Sequence, residues 1–139
     1  MKKIACILLV DDDSTTNFLN ELLLQDLDVA DQVLIAENGV EALRILARLA
    51  MTHPGASVLV LLDVNMPVMN GFEFLEAYQQ VPVPPARAVV IVMLTTSLHP
   101  RDMERLRQWP VTGLVSKPLS KKKVDAILQE HFPAELAAQ

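Results

Sequence analysis

The sequence is poor in cysteine and in long apolar runs, and each shortage excludes a class of protein. Its single cysteine, Cys6, rules out a disulfide within the chain and a multi-cysteine metal site, and its place in an apolar run favours a buried side chain over a reactive thiol. No apolar run approaches the roughly 20 residues that cross a bilayer. The run Ile4–Val10 is followed by three aspartates and offers no small-residue cleavage site, so it is not an export signal. We therefore expect a cytoplasmic protein with no membrane insertion.

Basic residues are also in the minority, which bears on the kind of ligand. The 139 residues include 12 Lys or Arg and 17 Asp or Glu, a net charge of −5, and this balance argues against direct binding to nucleic acid. Residues 1–70 contain 10 acidic and 4 basic residues, whereas residues 71–139 contain 7 and 8. A hydrophobic content of 51% is typical of one globular domain. We expect an acidic site in the first half of that domain.

Short apolar runs alternate with stretches of helical spacing along the chain. The runs have strand length and are apolar throughout: Ile4–Val10, Val33–Ala36, Val58–Leu62, Ala88–Leu94 and Val111–Val115. Between them, apolar residues recur with the spacing of one helix face, as in Leu19, Leu22 and Leu23. Strands without polar alternation are covered on both faces, and their regular alternation with helices favours a parallel sheet. The sequence therefore predicts an α/β domain with one doubly wound, five-stranded parallel sheet.

Polar residues able to carry chemistry follow four of these strands. They are Asp11, Asp12 and Asp13 after the first strand, Asp63 after the third, Thr95 and Thr96 after the fourth, and Ser116 and Lys117 after the fifth. In a doubly wound sheet, ligands bind outside the carboxyl ends of the strands where the strand order reverses, so we expect these side chains to converge. Closely grouped carboxylates repel one another unless a cation compensates them. An oxygen-only cluster without His or Cys favours Mg²⁺, which takes a phosphate and waters as its further ligands.

Lys117 and Asp13 each have a specific interpretation. Pro118 disfavours a helical conformation at Lys117 and holds it extended, so that its ammonium can reach a phosphoryl group on Asp63. Asp13 is better explained as the N-cap of the first helix than as a metal ligand. Any one of these residues alone could be a helix cap or a solvated charge. Together they are hard to explain in that way.

Five segments resemble the receiver domain of two-component response regulators, in the correct order and over nearly the whole chain. They are the acidic-pair strand in Ile7–Asp13, the start of the second helix in Asn38–Leu43, the phosphoacceptor strand and loop in Leu62–Pro67 with Gly71, the switch-threonine segment in Leu94–Ser97, and the phosphate-contacting lysine segment in Val115–Leu119. The resemblance implies a flavodoxin-like (β/α)5 receiver fold. It assigns residues 1–132 to the receiver domain and residues 133–139 to a short C-terminal tail, with no effector domain.

The same resemblance implies roles for individual residues. Asp63 is the expected phosphoacceptor, and Thr95 and Lys117 are expected to contact the phosphate. The implied Mg²⁺ ligands are three aspartates and one backbone carbonyl: Asp11, Asp12, Asp63 and Asn65. Pro67 and Gly71 are interpreted as loop formers in the turn that follows the phosphoacceptor.

The implied function is that of a single-domain response regulator. It would accept a phosphoryl group from a sensor histidine kinase or a histidine phosphotransfer protein, hydrolyse it slowly without classical multiple turnover, and signal to a downstream protein target. The resemblance also allows a homodimer that forms on phosphorylation. The alternative is a docking module of the same fold that works without phosphorylation. A hydrolase of the haloacid-dehalogenase type is disfavoured, because it needs a second acid two residues after the nucleophile, where Asn65 cannot supply a proton.

Two features depart from the family pattern. Leu114, three residues before Lys117, stands where the family commonly has an aromatic residue. The interval from Asp12 to Asp63 is long for the family, with residues 51–55 as the extension. Because a leucine has no ring to turn, we expect the response to phosphate to lie mainly in residues 96–101 and less in the fifth strand.

Overall fold

The secondary structure follows the alternation that the sequence predicts. The computed structural model describes residues 3–64, 66, 69–80, 89–96, 100–101, 104, 108 and 112–133. The strands are β1 (Ile4–Val10), β2 (Ala30–Ala36), β3 (Val58–Asp63), β4 (Val89–Thr95) and β5 (Thr112–Ser116). The helices are α1 (Ser14–Leu27), α2 (Gly39–Thr52), α3 (Gly71–Tyr78) and α4 (Lys121–His131). Between β4 and β5, Pro100, Arg101 and Glu104 are helical, and most of the helix expected there lies outside the described residues.

The five strands form one parallel sheet in the order β2-β1-β3-β4-β5. This is the predicted doubly wound, flavodoxin-like arrangement, and the strand order reverses at β1, which has β2 on one side and β3 on the other. In register, Val10 lies opposite Leu62, and Asp63 lies opposite Leu94. The residues that follow β1, β3 and β4 are therefore close in space, at the crevice where such sheets bind ligands.

The predicted start of β2 was wrong by three residues. The apolar run begins at Val33, whereas the strand begins at Ala30 because this residue pairs with Ile4 of β1. Asp31 and Gln32 are exposed. At the edge of a sheet, polar residues can enter the ladder through their backbone while their side chains stay in water.

Alternating strand residues build an apolar layer on each face of the sheet. Cys6, Leu8 and Val10 of β1 pack on one face with the inward residues of α2 and α3. Ile7 and Leu9 pack on the other face with the inward residues of α1 and α4. The central strands are therefore covered on both sides, which explains why their sequences are apolar throughout. Cys6 is buried, as predicted.

Polar caps determine where the helices begin. Asp13 caps α1, and Asn70 with Glu73 forms a reciprocal capping box at the start of α3. Ser120 caps α4 by accepting a hydrogen bond from the N–H of Lys123 at 3.3 Å. Each of these caps satisfies N–H groups that the first helical turn leaves unpaired. Over the described stretches of the chain, none of the helices combines the length and apolar character that a bilayer crossing requires.

Candidate functional site

Three carboxylates meet at the carboxyl ends of β1 and β3. Asp11 and Asp12 follow β1, and the N–H of Asp11 donates to the Ala36 carbonyl at 3.1 Å, so pairing with β2 continues to this residue. Asp63 is the last residue of β3. One oxygen from each of the three aspartates lies within 4.8 Å of the other two. Asp11 and Asp63 are only 5% and 7% exposed, whereas Asp12 is open to solvent.

The ammonium of Lys117 reaches these carboxylates from the end of β5. The backbone N–H of Lys117 donates to the Thr95 carbonyl at 2.7 Å. Its Nζ lies 2.9 Å from Oδ2 of Asp11 and 3.3 Å from Oδ1 of Asp63. Burial lowers the pKa of Lys117, but the hydrogen bond to Asp11 and the charges of Asp63 and Asp11 outweigh burial, so the pKa is raised. Lys117 therefore remains a cation at neutral pH.

The charges of this group do not balance. One ammonium faces three carboxylates, which leaves two negative charges in a partly buried site. Grouped carboxylates of this kind are costly without a further positive charge. The donors are all oxygens, and in the part of the chain that the structure describes no His or Cys joins them. This donor set fits a hard divalent cation such as Mg²⁺.

Two nearby residues hold Asp11 in place. The N–H of Asp13 donates to Oδ1 of Asp11 at 2.9 Å, and Nδ2 of Asn17 donates to the Asp11 carbonyl at 2.8 Å. Asn17 is 3% exposed, and its Oδ1 has no hydrogen-bond partner among the described residues. Asn17 is not among the site residues that the sequence predicts. The available signal was its spacing from Leu24, two helical turns later on the same buried face of α1.

The side chain of Asp13 binds the start of α1. Its carboxylate accepts hydrogen bonds from the Thr15 N–H at 3.0 Å and from the Thr16 hydroxyl at 2.9 Å. The Thr16 hydroxyl, followed by the Thr15 N–H, lowers the pKa of Asp13. A carboxylate at this position also interacts favourably with the helix dipole. The prediction that Asp13 is an N-cap is confirmed.

The other predicted site residues lie at the ends of β4 and β5 or outside the described residues. Thr95 ends β4, is 3% exposed and lies opposite Ser116 in the ladder. Thr96 is exposed. Asn65, predicted to offer a carbonyl to Mg²⁺, lies outside the described residues. Residues 97–99, in the middle of the segment where the main response to phosphate is expected, also lie outside them.

Gly71 lies where the turn that follows Asp63 meets the first residue of α3. It is the first residue of α3, and its N–H donates to the Val64 carbonyl at 3.0 Å. A Cβ at this position would lie 2.6 Å from Cε of Met93 and 3.1 Å from the carbonyl oxygen of Asp63. Glycine therefore suits the close approach of α3 to the end of β3. The hydrogen bond to Val64 also closes the turn that follows Asp63, as expected of a loop former. Pro67, its predicted companion, lies outside the described residues.

Leu114 occupies the middle of β5, opposite Met93 of β4. It is half-buried and packs against the core layer that contains α2 and α3. An aliphatic side chain in this place fills the core and has no aromatic ring whose rotation could reshape the surface.

Known proteins share this arrangement. Residues 7–129 match the response regulator receiver domain. The chain is 32% identical over 123 residues to the chemotaxis protein CheY of Halobacterium salinarum (87% of this chain, 92% of that protein) and 30% identical over 127 residues to the two-component response regulator ORR41 of Oryza sativa (91% and 94%). The crystal structure of a two component response regulator from Cytophaga hutchinsonii superposes with a TM-score of 0.84 at 27% identity, covering 95% of this chain and 99% of that one. The protein therefore belongs to the response regulator receiver domain family, which serves two-component signal transduction.

Proposed function

We propose that the protein is a single-domain response regulator that accepts a phosphoryl group on Asp63 from a histidine kinase or a histidine phosphotransfer protein. The observation that carries this proposal is the ammonium of Lys117, held 2.9 Å from Asp11 and 3.3 Å from Asp63. A cation fixed beside a buried carboxylate can neutralise the charge that an incoming phosphoryl group brings. Membership of the receiver family supports the same role.

The proposed transfer is a substitution at phosphorus. A carboxylate oxygen of Asp63 forms a bond to phosphorus, and the bond from phosphorus to the imidazole nitrogen of the partner's phosphohistidine breaks. The nitrogen keeps the electron pair of that bond. The product is an acyl phosphate, and attack by water on its phosphorus returns the Asp63 carboxylate and inorganic phosphate. Because Asp63 is 7% exposed, water has restricted access and we expect this hydrolysis to be slow.

Lys117 and Thr95 are the proposed contacts with the phosphoryl oxygens. Asp63 lies opposite Leu94 in the ladder, so Thr95 is one residue further along the neighbouring strand. A phosphoryl oxygen would offer the Thr95 hydroxyl and the Lys117 ammonium charge-assisted hydrogen bonds. These bonds exist only in the phosphorylated state, and they supply the difference in free energy between the two states that a switch requires.

The proposed Mg²⁺ ligands are the grouped aspartates and a backbone carbonyl: Asp11, Asp12, Asp63 and Asn65. When bound, the ion would neutralise charge on the phosphoryl oxygens. The exposure of Asp12 leaves the site open to water, and Mg²⁺ usually keeps several water ligands. The chain's contribution is to orient the carboxylates, as the Asp13 N–H does for Asp11.

A small phosphodonor tests this function without a protein partner. In the presence of Mg²⁺, acetyl phosphate should label the wild-type protein at one hydroxylamine-sensitive position, and Asp63→Asn should abolish labelling because asparagine lacks the nucleophilic carboxylate. Asp13→Asn is the matched control, since Asn is also a good N-cap and the side chain of Asp13 binds α1. Persistent labelling of Asp63→Asn would place the acceptor elsewhere, with Asp12 examined next. A wild-type protein that is not labelled would favour the phosphorylation-independent docking module.

An apolar strip on α1 supports the proposed protein partner. Phe18, Leu19 and Leu22 are 56%, 58% and 46% exposed. A groove of about 380 Å³ separates α1 from the segment that contains Lys117 and Pro118, and Leu19 lines it. Contiguous apolar side chains at a surface commonly mark contacts with other proteins. A protein that delivers a phosphoryl group to the carboxyl ends of the strands would therefore find an apolar docking surface next to the site.

Substitution of Leu19 tests this docking surface. Leu19→Asp should slow phosphoryl transfer from a phosphorylated histidine phosphotransfer protein and leave labelling by acetyl phosphate unchanged, because a small donor needs no docking surface. Met51→Asp is the control, since Met51 is an apolar residue 85% exposed in the last turn of α2, toward the opposite end of the sheet. Equal transfer rates for Leu19→Asp and Met51→Asp would show that docking occurs elsewhere.

A further inference from the structure

The first turn of α4 contains a lysine whose side chain returns to the end of β5. The Nζ of Lys123 donates to the carbonyl of Ser116 at 2.8 Å, to the carbonyl of Pro118 at 2.8 Å and to the hydroxyl of Ser116 at 3.4 Å. The two carbonyls belong to the residues on either side of Lys117. The ammonium of Lys123 thus binds the peptide groups on both sides of Lys117, the lysine that contacts Asp63.

The position of Lys123 is unfavourable for a lysine unless its ammonium has partners. The first turn of α4 contains no acidic residue, and the positive end of the helix dipole disfavours a cation there. Lys121 and Lys122 occupy the same turn with exposed side chains, whereas Lys123 is half-buried. Ordering a lysine side chain also costs rotamer entropy. The charge-assisted hydrogen bonds to Ser116 and Pro118 offset these costs.

The segment between β5 and α4 is held from a second side by β4. The N–H of Lys117 donates to the Thr95 carbonyl at 2.7 Å, which ties this segment to the end of β4. The Ser120 hydroxyl accepts from the N–H of Lys123 at 3.3 Å, which fixes the start of α4. Through its ammonium, Lys123 then joins α4 to the peptide groups that flank Lys117. The backbone of Lys117 is therefore fixed by β4 on one side and by α4 on the other.

We propose that Lys123 is a positioning residue for the acceptor site and that it acts through Lys117. The Lys117 ammonium must meet Asp11 at 2.9 Å and Asp63 at 3.3 Å from the end of a flexible side chain, so its reach depends on where its backbone lies. Lys123 sets that backbone position. This inference rests on the proposed function, because it concerns the same reaction at Asp63.

The test compares Lys123→Met with Lys122→Met in the full chain. Methionine keeps most of the apolar stem and removes the ammonium, and Lys122 is an exposed lysine of the same helical turn. The rate of labelling by acetyl phosphate in Mg²⁺ is measured for both. We expect Lys123→Met to be labelled roughly tenfold more slowly than the wild type, a smaller loss than the ~100-fold that a 1 Å misplacement can cause. Lys122→Met should match the wild type.

A double substitution separates positioning from a merely structural role. If Lys123 acts through Lys117, Lys123→Met should add little to the loss caused by Lys117→Met, because the group that it positions is already gone. If Lys123 had only a structural role, Lys123→Met would lower the labelling rate by the same factor in the wild type and in Lys117→Met. Hydrogen exchange at the amide of Lys117 gives a readout that needs no phosphorylation, and it should be faster in Lys123→Met. If Lys123→Met does not fold, Lys123→Gln serves instead, since it removes the charge and retains a donor.

The outcomes distinguish this inference from the function on which it rests. A wild-type protein that acetyl phosphate does not label overturns the proposed function. Normal labelling of the wild type with an unchanged rate in Lys123→Met overturns only the role of Lys123. Equal losses in the wild-type and Lys117→Met backgrounds, or unchanged exchange at the Lys117 amide, also overturn it.

Discussion

Replacing Gly71 with alanine would test how closely α3 must approach the acceptor strand. The added Cβ would lie 2.6 Å from Cε of Met93, 3.1 Å from the carbonyl oxygen of Asp63 and 3.1 Å from Cα of Val64. Met93 is 0% exposed, so its methyl group cannot move into solvent. The other two atoms belong to the backbone that presents the proposed acceptor. The substitution should therefore push α3 away from the end of β3.

Two opposing contributions set the size of the effect. Alanine favours a helix interior over glycine by at most about 1 kcal/mol, and by less at the first position of α3. Overpacking a close-packed site costs about 1–3 kcal/mol. We therefore expect the free energy of unfolding to fall by about 1–2 kcal/mol and Tm to fall by roughly 3–8 °C. A shift of a few tenths of an ångström at Asp63 should slow labelling by about threefold to tenfold, because 1 Å can cost ~100-fold.

Urea unfolding, thermal melts and acetyl phosphate labelling of the same preparations would measure both effects. Gly113→Ala is the matched control, because a Cβ at Gly113 would lie 3.7 Å from Nε2 of His131 and 3.8 Å from Cγ2 of Val92, which are ordinary contact distances. Glycine weakens a strand interior, so Gly113→Ala should unfold at or above the wild-type midpoint. A Gly71→Ala protein with the stability of Gly113→Ala and the wild-type labelling rate would refute the packing argument.

Three further predictions concern charge and switching at the site. Asp12→Ala should weaken Mg²⁺ binding by at least about tenfold, since the loss of even an outer-shell partner has that effect; equal affinities by calorimetry or NMR would show that the metal site is assigned wrongly. Lys117→Met should lower the free energy of unfolding by about 1–3 kcal/mol, because it removes the ammonium that faces the buried carboxylates of Asp11 and Asp63. The partial exposure of Lys117 keeps the effect at the lower end of what a buried ion pair costs. The pKa of Lys117 is raised in the folded protein, so its stabilising contribution is complete below the usual lysine value of 10.5 and is lost only as the pH rises through the higher folded value. The difference from wild type in urea unfolding should therefore stay constant between about pH 7 and 10, and a decline within that range would contradict the ion-pair account. Thr95→Ala should still accept phosphate but show a weaker change in hydrogen exchange with a beryllofluoride phosphate mimic, and a full response would exclude its hydroxyl as the trigger.

Local sequence patterns predicted much of the fold, and the elements show why. The strand Ile4–Val10 is apolar throughout because both faces of β1 are covered, so its burial is visible in its composition. Asp13 was identifiable as a cap because capping joins residues only two or three positions apart. The start of β2 was not identifiable, since Ala30 joins the sheet by pairing with β1 and not through an apolar pattern of its own.

The sequence by itself determined the parallel α/β architecture and the set of carboxylates, threonine and lysine that follow its strands. Only the tertiary structure decided which of these groups meet: Lys117 bonds to Asp11, 106 residues away, and Lys123 holds the peptide groups on either side of Lys117. It also decided that Gly71, which the sequence predicts only as a loop former, lies where α3 comes close to the end of β3. Periodicity and capping depend on neighbours along the chain, whereas contacts between strand ends depend on how the crossover connections bring distant segments together.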